Sequence, residues 1–185
     1  MLSQSTDTVL RAMKLTGMAT ELIRQNADPK LTNSLSFEER LSLIVDAEWR
    51  KRESSKMRRC LKAACLPIPG AQVEDIEYYP DRKLDKTKIT QLASCSYIDH
   101  GLHIIIRGAS GNGKTFLSCA LGNTACRRFK KVFYIRMQEL LERLAWEKAN
   151  GDFRKFLNSL KKLDLLILDE FLLRRLTPEE ASHLL

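Results

Sequence analysis

The sequence lacks the features by which membrane, secreted and disulfide-bonded proteins are recognised. Its longest apolar runs, at 104–106 and 165–168, are strand-sized and far shorter than the ~18 residues of a membrane span. The amino terminus has no basic region followed by an apolar stretch, so we expect no secretory signal. The cysteines are odd in number and form no C-x-x-C pair, which argues against a disulfide framework or a zinc knuckle. We therefore expect no membrane segment and a location in the reducing cytoplasm.

Histidines and repeats are also scarce. The three histidines, His100, His103 and His183, show no metal-ligand spacing, and the chain contains no internal repeat. Hydrophobic residues make up 44% and charged residues 29% of the 185 residues, which argues against wholesale disorder. This length allows one domain with a modest extension.

Positive charge is concentrated in one short segment. The net charge is +8, and seven cations lie between residues 50 and 62 against the single acid Glu53. These cations are Arg50, Lys51, Arg52, Lys56, Arg58, Arg59 and Lys62. Two interpretations remain open: a solvated helix face, or a surface that contacts nucleic acid or a partner protein.

Helical patterns and prolines divide the chain. Apolar residues at three- and four-residue spacing predict a helix within 8–25. A capping box of Ser36 and Glu39 predicts the start of a second helix, which continues to about Ala64. The prolines at 67–70 must end that helix, because proline lacks the amide donor. Three regions follow: a helical module at 1–66, a linker or transition at 67–101, and a core at 102–185.

In the third region, apolar runs alternate with helical stripes. The runs at 102–106, 132–135 and 163–168 are largely apolar, and helical patterns lie between them near 114–128 and 138–148. Continuously apolar strands that alternate with helices are typical of a parallel sheet covered on both faces. We therefore predict an α/β fold for this region.

A glycine-rich loop follows the first of these runs. Residues 108–115 match the pattern G-x-x-x-x-G-K-[ST] at every fixed position, between a predicted strand and a predicted helix. The glycines permit positive φ and close backbone approach, so that loop and helix amides can surround phosphate oxygens. We expect Lys114 on the β- and γ-phosphates and the Thr115 hydroxyl on Mg²⁺. The candidate nucleotide-binding residues are Gly108, Ala109, Ser110, Gly111, Asn112, Gly113, Lys114 and Thr115.

Two acids follow the last apolar run. Asp169 and Glu170 lie at the carboxyl end of a predicted strand, and in open α/β sheets that edge borders the ligand crevice. We expect Asp169 to hold Mg²⁺, directly or through water, and Glu170 to orient or deprotonate an attacking water. Lys114 and Glu170 are therefore the candidate catalytic residues, and Thr115 and Asp169 are the candidate metal ligands.

These motifs together resemble one ATPase family. The segments that carry the resemblance are the loop with residues 117–122 after it, 149–155, 165–170, and the amino-terminal segments 15–19, 35–45 and 48–49. They are similar to the IstB family of insertion-sequence ATP-binding proteins, which are relatives of the helicase loader DnaC within the AAA+ P-loop ATPases. The resemblance implies ATP and Mg²⁺ as cofactors, assembly on DNA, a transposase as partner, and a homo-oligomer.

Two departures from the family pattern leave alternatives open. Residues 171–173 stand where the family has an aromatic-glycine pair, and family members continue beyond Leu185 with a γ-phosphate sensor strand and an arginine finger. That strand would lie between the strands at 102–106 and 163–168, so we expect an incomplete sheet, and no arginine here is assigned as the finger. Besides an ATPase helper of transposition, the alternatives are a non-hydrolysing relic or partner-binding fragment, a DnaC-like helicase loader, and a small-molecule kinase. ATP hydrolysis is left open.

Overall fold

The computed structural model describes residues 2–28, 34–79, 84–171, 173–178 and 180–181 of the chain. The chain forms two compact units, residues 1–56 and 57–185. Within the described residues, no helix combines the length and the apolar character that a bilayer crossing requires. The division predicted at residues 66 and 101 stays a prediction.

The first unit is helical. It contains helices α1 (Leu2–Ala12) and α2 (Thr16–Ala27) and the beginning of α3 (Phe37–Ala63). Two helices replace the single one predicted within 8–25, because the chain turns at Lys14, whose φ is +61°.

The start and the end of α3 agree with the sequence prediction. The Glu39 amide donates to Ser36 Oγ at 3.3 Å, and the Ser36 amide donates to Glu39 Oε2 at 2.7 Å, which forms the predicted capping box. The helix then runs to Ala63, which confirms an end near Ala64.

A buried glutamate joins α2 to α3. Glu48 Oε2 accepts hydrogen bonds from the amides of Gly17 at 2.7 Å and Met18 at 3.4 Å, in the first turn of α2. A carboxylate there complements the positive end of the helix dipole. Burial alone raises the pKa of Glu48, but hydrogen bonds from Arg52 and the two amides outweigh it and lower the pKa below its ordinary value of 4.5. The two helices are in close contact at this point.

The second unit contains a two-stranded parallel sheet. Strands β1 (Val132–Arg136) and β2 (Leu165–Asp169) pair in register, with Arg136 opposite Asp169. The helices of this unit are α4 (Lys86–Ala93), α5 (Ser96–Asp99), α6 (Lys114–Arg127), α7 (Met137–Ala149) and α8 (Phe153–Leu160), with a 3-10 turn at Val73–Asp75. Helices α7 and α8 form the crossover that parallel strands require.

Helices cover both faces of this sheet, because alternate strand residues point to opposite sides. The α6 side is a buried cluster that includes Cys119, Ala120, Ala125, Cys126, Val132 and Tyr134, with Leu165 and Ile167 against it. The other side, under α7 and α8, contains Ile135, Leu140, Leu144 and Phe156, with Phe133, Leu166 and Leu168 against it. This arrangement confirms the predicted α/β fold with a parallel sheet covered on both faces.

Helix α6 lies against β2 at a glycine. A Cβ atom on Gly122 would lie 2.8 Å from Ile167 Cδ1 and 3.1 Å from Leu66 Cδ2, so a larger residue would displace these side-chain ends. This close approach keeps α6 against the strand that ends at Asp169.

Residues 102–106 do not form the predicted strand. They take part in no ladder of the described sheet, and Leu102 and Ile105 are 64% and 81% exposed. A strand needs a hydrogen-bonded neighbour. The strand that the family resemblance places between this run and β2 is not among the described residues. The prediction of a strand at 102–106 is therefore wrong for this structure, because no strand of the described residues pairs with this run.

Candidate functional site

The glycine-rich loop leads directly into α6. Gly111 and Gly113 have φ values of +80° and +74°, in the left-handed region that side chains disfavour. Gly113 precedes the first helical residue, and its carbonyl accepts a hydrogen bond from the Leu117 amide at 2.9 Å. The first amides of a helix have no acceptor within it and, with the dipole, favour an anion. The loop therefore has the geometry expected of a phosphate-binding segment.

The lysine of the loop folds back onto the loop itself. Lys114 Nζ donates to the Ala109 carbonyl at 2.8 Å, and the Asn112 amide donates to the same carbonyl at 3.4 Å. Charge-assisted hydrogen bonds to phosphate are stronger than a bond to this neutral carbonyl. The ammonium group thus lies where a phosphate in the loop would compete for it.

The two predicted metal ligands are in direct contact. Thr115 Oγ1 donates to Asp169 Oδ2 at 2.6 Å, across 54 positions of the chain. The contact forms because α6 begins, and β2 ends, at the same edge of the sheet. A hydroxyl and a carboxylate supply the hard oxygen ligands that Mg²⁺ prefers, so these residues fit that ion.

A tyrosine from the neighbouring strand completes this cluster. Tyr134 is 7% exposed, and its hydroxyl donates to Asp169 Oδ2 at 2.7 Å. Burial, followed by the hydrogen bond to Asp169, raises the pKa of Tyr134 well above its ordinary value. Burial alone would raise the pKa of Asp169, but hydrogen bonds from Thr115, Tyr134 and the Glu170 amide lower it overall. The cluster therefore holds an ionised carboxylate with protonated hydroxyl donors around it at neutral pH.

The second acid lies beside a cation. Glu170 has an exposed side chain and a φ of +54°, unusual for a residue with a Cβ, and its amide donates to Asp169 Oδ1 at 2.8 Å. The charge of Glu170 is the main cause of the raised pKa of Arg136. The carboxyl ends of β1 and β2 thus carry a tyrosine, an arginine and two acids.

Sequence reasoning missed Tyr134 and Arg136. Both lie in the run 132–136, whose apolar neighbours indicate a buried strand and nothing more. Their position near the carboxyl end of that strand could have indicated them, because polar side-chain ends there lie at the same sheet edge as Asp169.

A cavity of about 370 Å³ opens beside the loop. Its lining combines loop residues and Lys114 with apolar side chains and with acids of the 3-10 turn. The apolar side chains are Ile76, Leu84, Ile106, Phe116 and Leu117, and the acids are Asp75 and Glu77. A recess of this size, lined by both apolar and polar groups, is large enough for a small molecule.

The cation segment lies on α3. All seven cations of the range 50–62 are exposed there. Arg52 pairs with Glu48 at 2.7 Å, and Lys51 donates to Thr16 Oγ1 at 2.6 Å. Part of this positive charge is therefore engaged within the first unit.

Within the described residues, no histidine or cysteine is hydrogen-bonded to Asp169. Within the described part of the chain, His, Cys, Asp and Glu side chains form no group of three that could hold a metal ion. His183 lies outside the described residues. Cys119 and Cys126 are buried in the core under α6, where burial is the main cause of their raised pKa values.

The fold and this site define a class of protein, the P-loop nucleotide-binding proteins. A glycine-rich loop opens a helix, and a strand of a parallel sheet ends in an acid that contacts the loop threonine. Residues 8–185 match the family described as IstB-like ATP binding protein, and the chain belongs to that family.

Similar proteins come from several bacteria. An IS1162 insertion-sequence protein of Pseudomonas fluorescens, assigned as ATP-binding, is 38% identical over 183 residues, which cover 99% of this chain and 78% of that protein. The y4pL insertion-sequence protein of Sinorhizobium fredii, also assigned as ATP-binding, is 36% identical over 186 residues, 99% of this chain and 74% of its own length. Rv3427c of Mycobacterium tuberculosis, with the same assignment, is 30% identical over 175 residues, which cover 95% and 69% of the two chains.

Proposed function

We propose that this chain is an ATP-binding helper of a transposase in DNA transposition. The single observation that carries the proposal is the 2.6 Å contact between Thr115 Oγ1 and Asp169, which joins the loop to the acidic end of β2. The names of the relatives, which assign them to insertion sequences and to ATP binding, support the same conclusion.

In this proposal, residues 108–115 surround the triphosphate of ATP with backbone amides. Lys114 exchanges its hydrogen bond with the Ala109 carbonyl for one with the β- and γ-phosphates. Thr115 and Asp169 hold Mg²⁺, which supplies neutralisation of phosphate charge when it is bound. The adjoining cavity takes the nucleoside, with Ile76 and Phe116 among the apolar side chains next to the base.

Hydrolysis is the further step of the proposal. Glu170 has an exposed carboxylate and follows Asp169 directly. In this position the carboxylate orients or deprotonates a water molecule. The competing function is that of a non-hydrolysing, partner-binding protein, and no arginine is assigned here to stabilise the transferring phosphoryl group.

The macromolecular partners belong to the same proposal. The exposed cations of α3 contact the phosphates of DNA without sequence preference, and a transposase and further copies of the chain assemble with it. We place this work in the cytoplasm, and we assign partner binding to a helical module over 1–66, joined by a linker over 67–101 to an ATP-binding core over 102–185.

A thermal-shift assay with a matched pair of lysine variants tests ATP binding. We expect MgATP to raise the unfolding temperature of the wild-type chain, because a ligand that binds only the folded state stabilises it. Lys114→Ala is expected to abolish the rise, since it removes the cation of the loop. Lys155→Ala, at an exposed position of α8, is expected to keep it. Equal shifts for the two variants would contradict the assignment of Lys114.

A further inference from the structure

Tyr134 has a place in the site that the proposed function does not yet use. Its ring belongs to the buried cluster under α6, while its hydroxyl reaches Asp169 Oδ2 at 2.7 Å. A buried tyrosine in a sheet face needs only one partner for its hydroxyl. Here that partner is the carboxylate that the proposed function assigns to Mg²⁺.

The hydrogen bonds around Asp169 fix both carboxylate oxygens. Oδ2 accepts from two hydroxyls, those of Thr115 and Tyr134, and Oδ1 accepts from the Glu170 amide. An ionised carboxylate has about four acceptor positions, so about one remains, on Oδ1. A cation on the Thr115 oxygen takes a lone pair and leaves the hydroxyl proton for Asp169, so Tyr134 and Thr115 hold Oδ2 and the Glu170 amide holds Oδ1.

The Asp169 carboxylate determines which way the Tyr134 hydroxyl points. An ionised carboxylate can only accept hydrogen bonds, so the phenol donates its proton to Asp169 Oδ2. The pairing of β1 with β2 brings the two residues together, because Tyr134 and Asp169 both lie near the carboxyl ends of these strands.

We propose that Tyr134 is a positioning residue, which holds the Asp169 carboxylate in the orientation that binds the cation of the nucleotide complex. The inference rests on the proposed function. Partners that orient a metal ligand without touching the metal typically contribute 10- to 100-fold in affinity. The hydroxyl of Tyr134 therefore affects the Mg²⁺ requirement and leaves metal-free nucleotide binding unchanged.

The test compares Tyr134→Phe with Tyr97→Phe, which removes the hydroxyl of another buried tyrosine of the same unit. Binding of a fluorescent ATP analogue to the full chain is measured in EDTA and then during a Mg²⁺ titration. We expect Tyr134→Phe to raise the Mg²⁺ concentration for half-maximal effect by ~10- to 100-fold and to leave the affinity in EDTA unchanged. We expect Tyr97→Phe to change neither value. Unfolding temperatures without nucleotide confirm that both variants are folded.

Two results would overturn the inference: a wild-type Mg²⁺ requirement in Tyr134→Phe, or an equal loss of affinity with and without Mg²⁺, which indicates a structural role only. If Tyr134→Phe does not fold, Tyr134→Met decides, because methionine fills the buried cluster with a flexible apolar side chain and also lacks the hydroxyl. An unchanged Mg²⁺ requirement in Tyr134→Met would then reject the positioning role of the hydroxyl. Failure of the wild-type chain to bind the analogue is a different outcome, because it contradicts the proposed function itself.

Discussion

The contact between α2 and α3 can be tested with a single methyl group. In Gly17→Ala, the new Cβ would lie 2.7 Å from Glu48 Cα and 2.8 Å from the Ala47 carbonyl oxygen, and both are backbone atoms that cannot rotate away. Overpacking of this kind costs ~1–3 kcal/mol. Separation of the helices also weakens the buried bond between the Gly17 amide and Glu48, which is worth ~1.5–3 kcal/mol, while alanine returns ~1 kcal/mol of helix propensity. We expect a net loss of about 2–4 kcal/mol.

That loss is large for the first unit. Its 56 residues correspond to a total stability of ~3–8 kcal/mol. Hydrogen exchange resolved by peptide is the assay, because it reports local opening. Peptides from α2 and the first half of α3 should lose about 30- to 1,000-fold of their protection.

The control for this experiment is Gly70→Ala. No heavy atom lies within 4 Å of the position that its Cβ would take. The control should leave protection in α2 and α3 at the wild-type level. Wild-type protection of these helices in Gly17→Ala would refute the close packing described for Gly17 and Glu48.

Three further predictions concern pH, hydrolysis and DNA. Because the folded pKa of Glu48 lies below 4.5, its contribution to stability is complete above that pH and disappears as the pH falls through the folded pKa. The loss of helical circular dichroism during an acid titration should therefore depend less steeply on pH in Glu48→Gln than in the wild-type chain. Glu170→Gln should keep nucleotide binding and lower phosphate release by ~100-fold or more, whereas equal release in both proteins would favour the non-hydrolysing alternative. DNA affinity should fall linearly with the logarithm of salt concentration, and Arg59→Gln and Lys62→Gln should each reduce that slope by about 1; an unchanged slope would assign these cations to a solvated face.

The candidate site was largely predictable because its residues are adjacent in sequence or lie at a defined sheet edge. The pattern at 108–115 places three glycines, a lysine and a threonine around a helix start, and the structure has a 14-residue helix from Lys114. Asp169 and Glu170 could be predicted at the site because they directly follow an apolar run of strand length. The two patterns together predict Thr115 near Asp169, and the structure has this contact although the run before the loop forms no strand.

What could not be predicted depends on neighbours in space. The run at 102–106 has the composition of a strand, but composition does not provide the ladder partner that a strand needs. Tyr134 lies in an apolar run, which predicts a core position. Only the pairing of β1 with β2 brings its hydroxyl to Asp169. The turn at Lys14 likewise could not be predicted. A continuous apolar stripe predicts which helix face is buried, but it does not show whether the helix is unbroken.

The central claim is that the loop at 108–115 holds the triphosphate of ATP. Calorimetric titration of ATP, with Mg²⁺ present, into the full chain tests it most directly. We expect a saturable heat of binding in the wild-type chain that is absent in Lys114→Ala. No heat from the folded wild-type chain at millimolar ATP, or the same binding curve in Lys114→Ala, would contradict the claim.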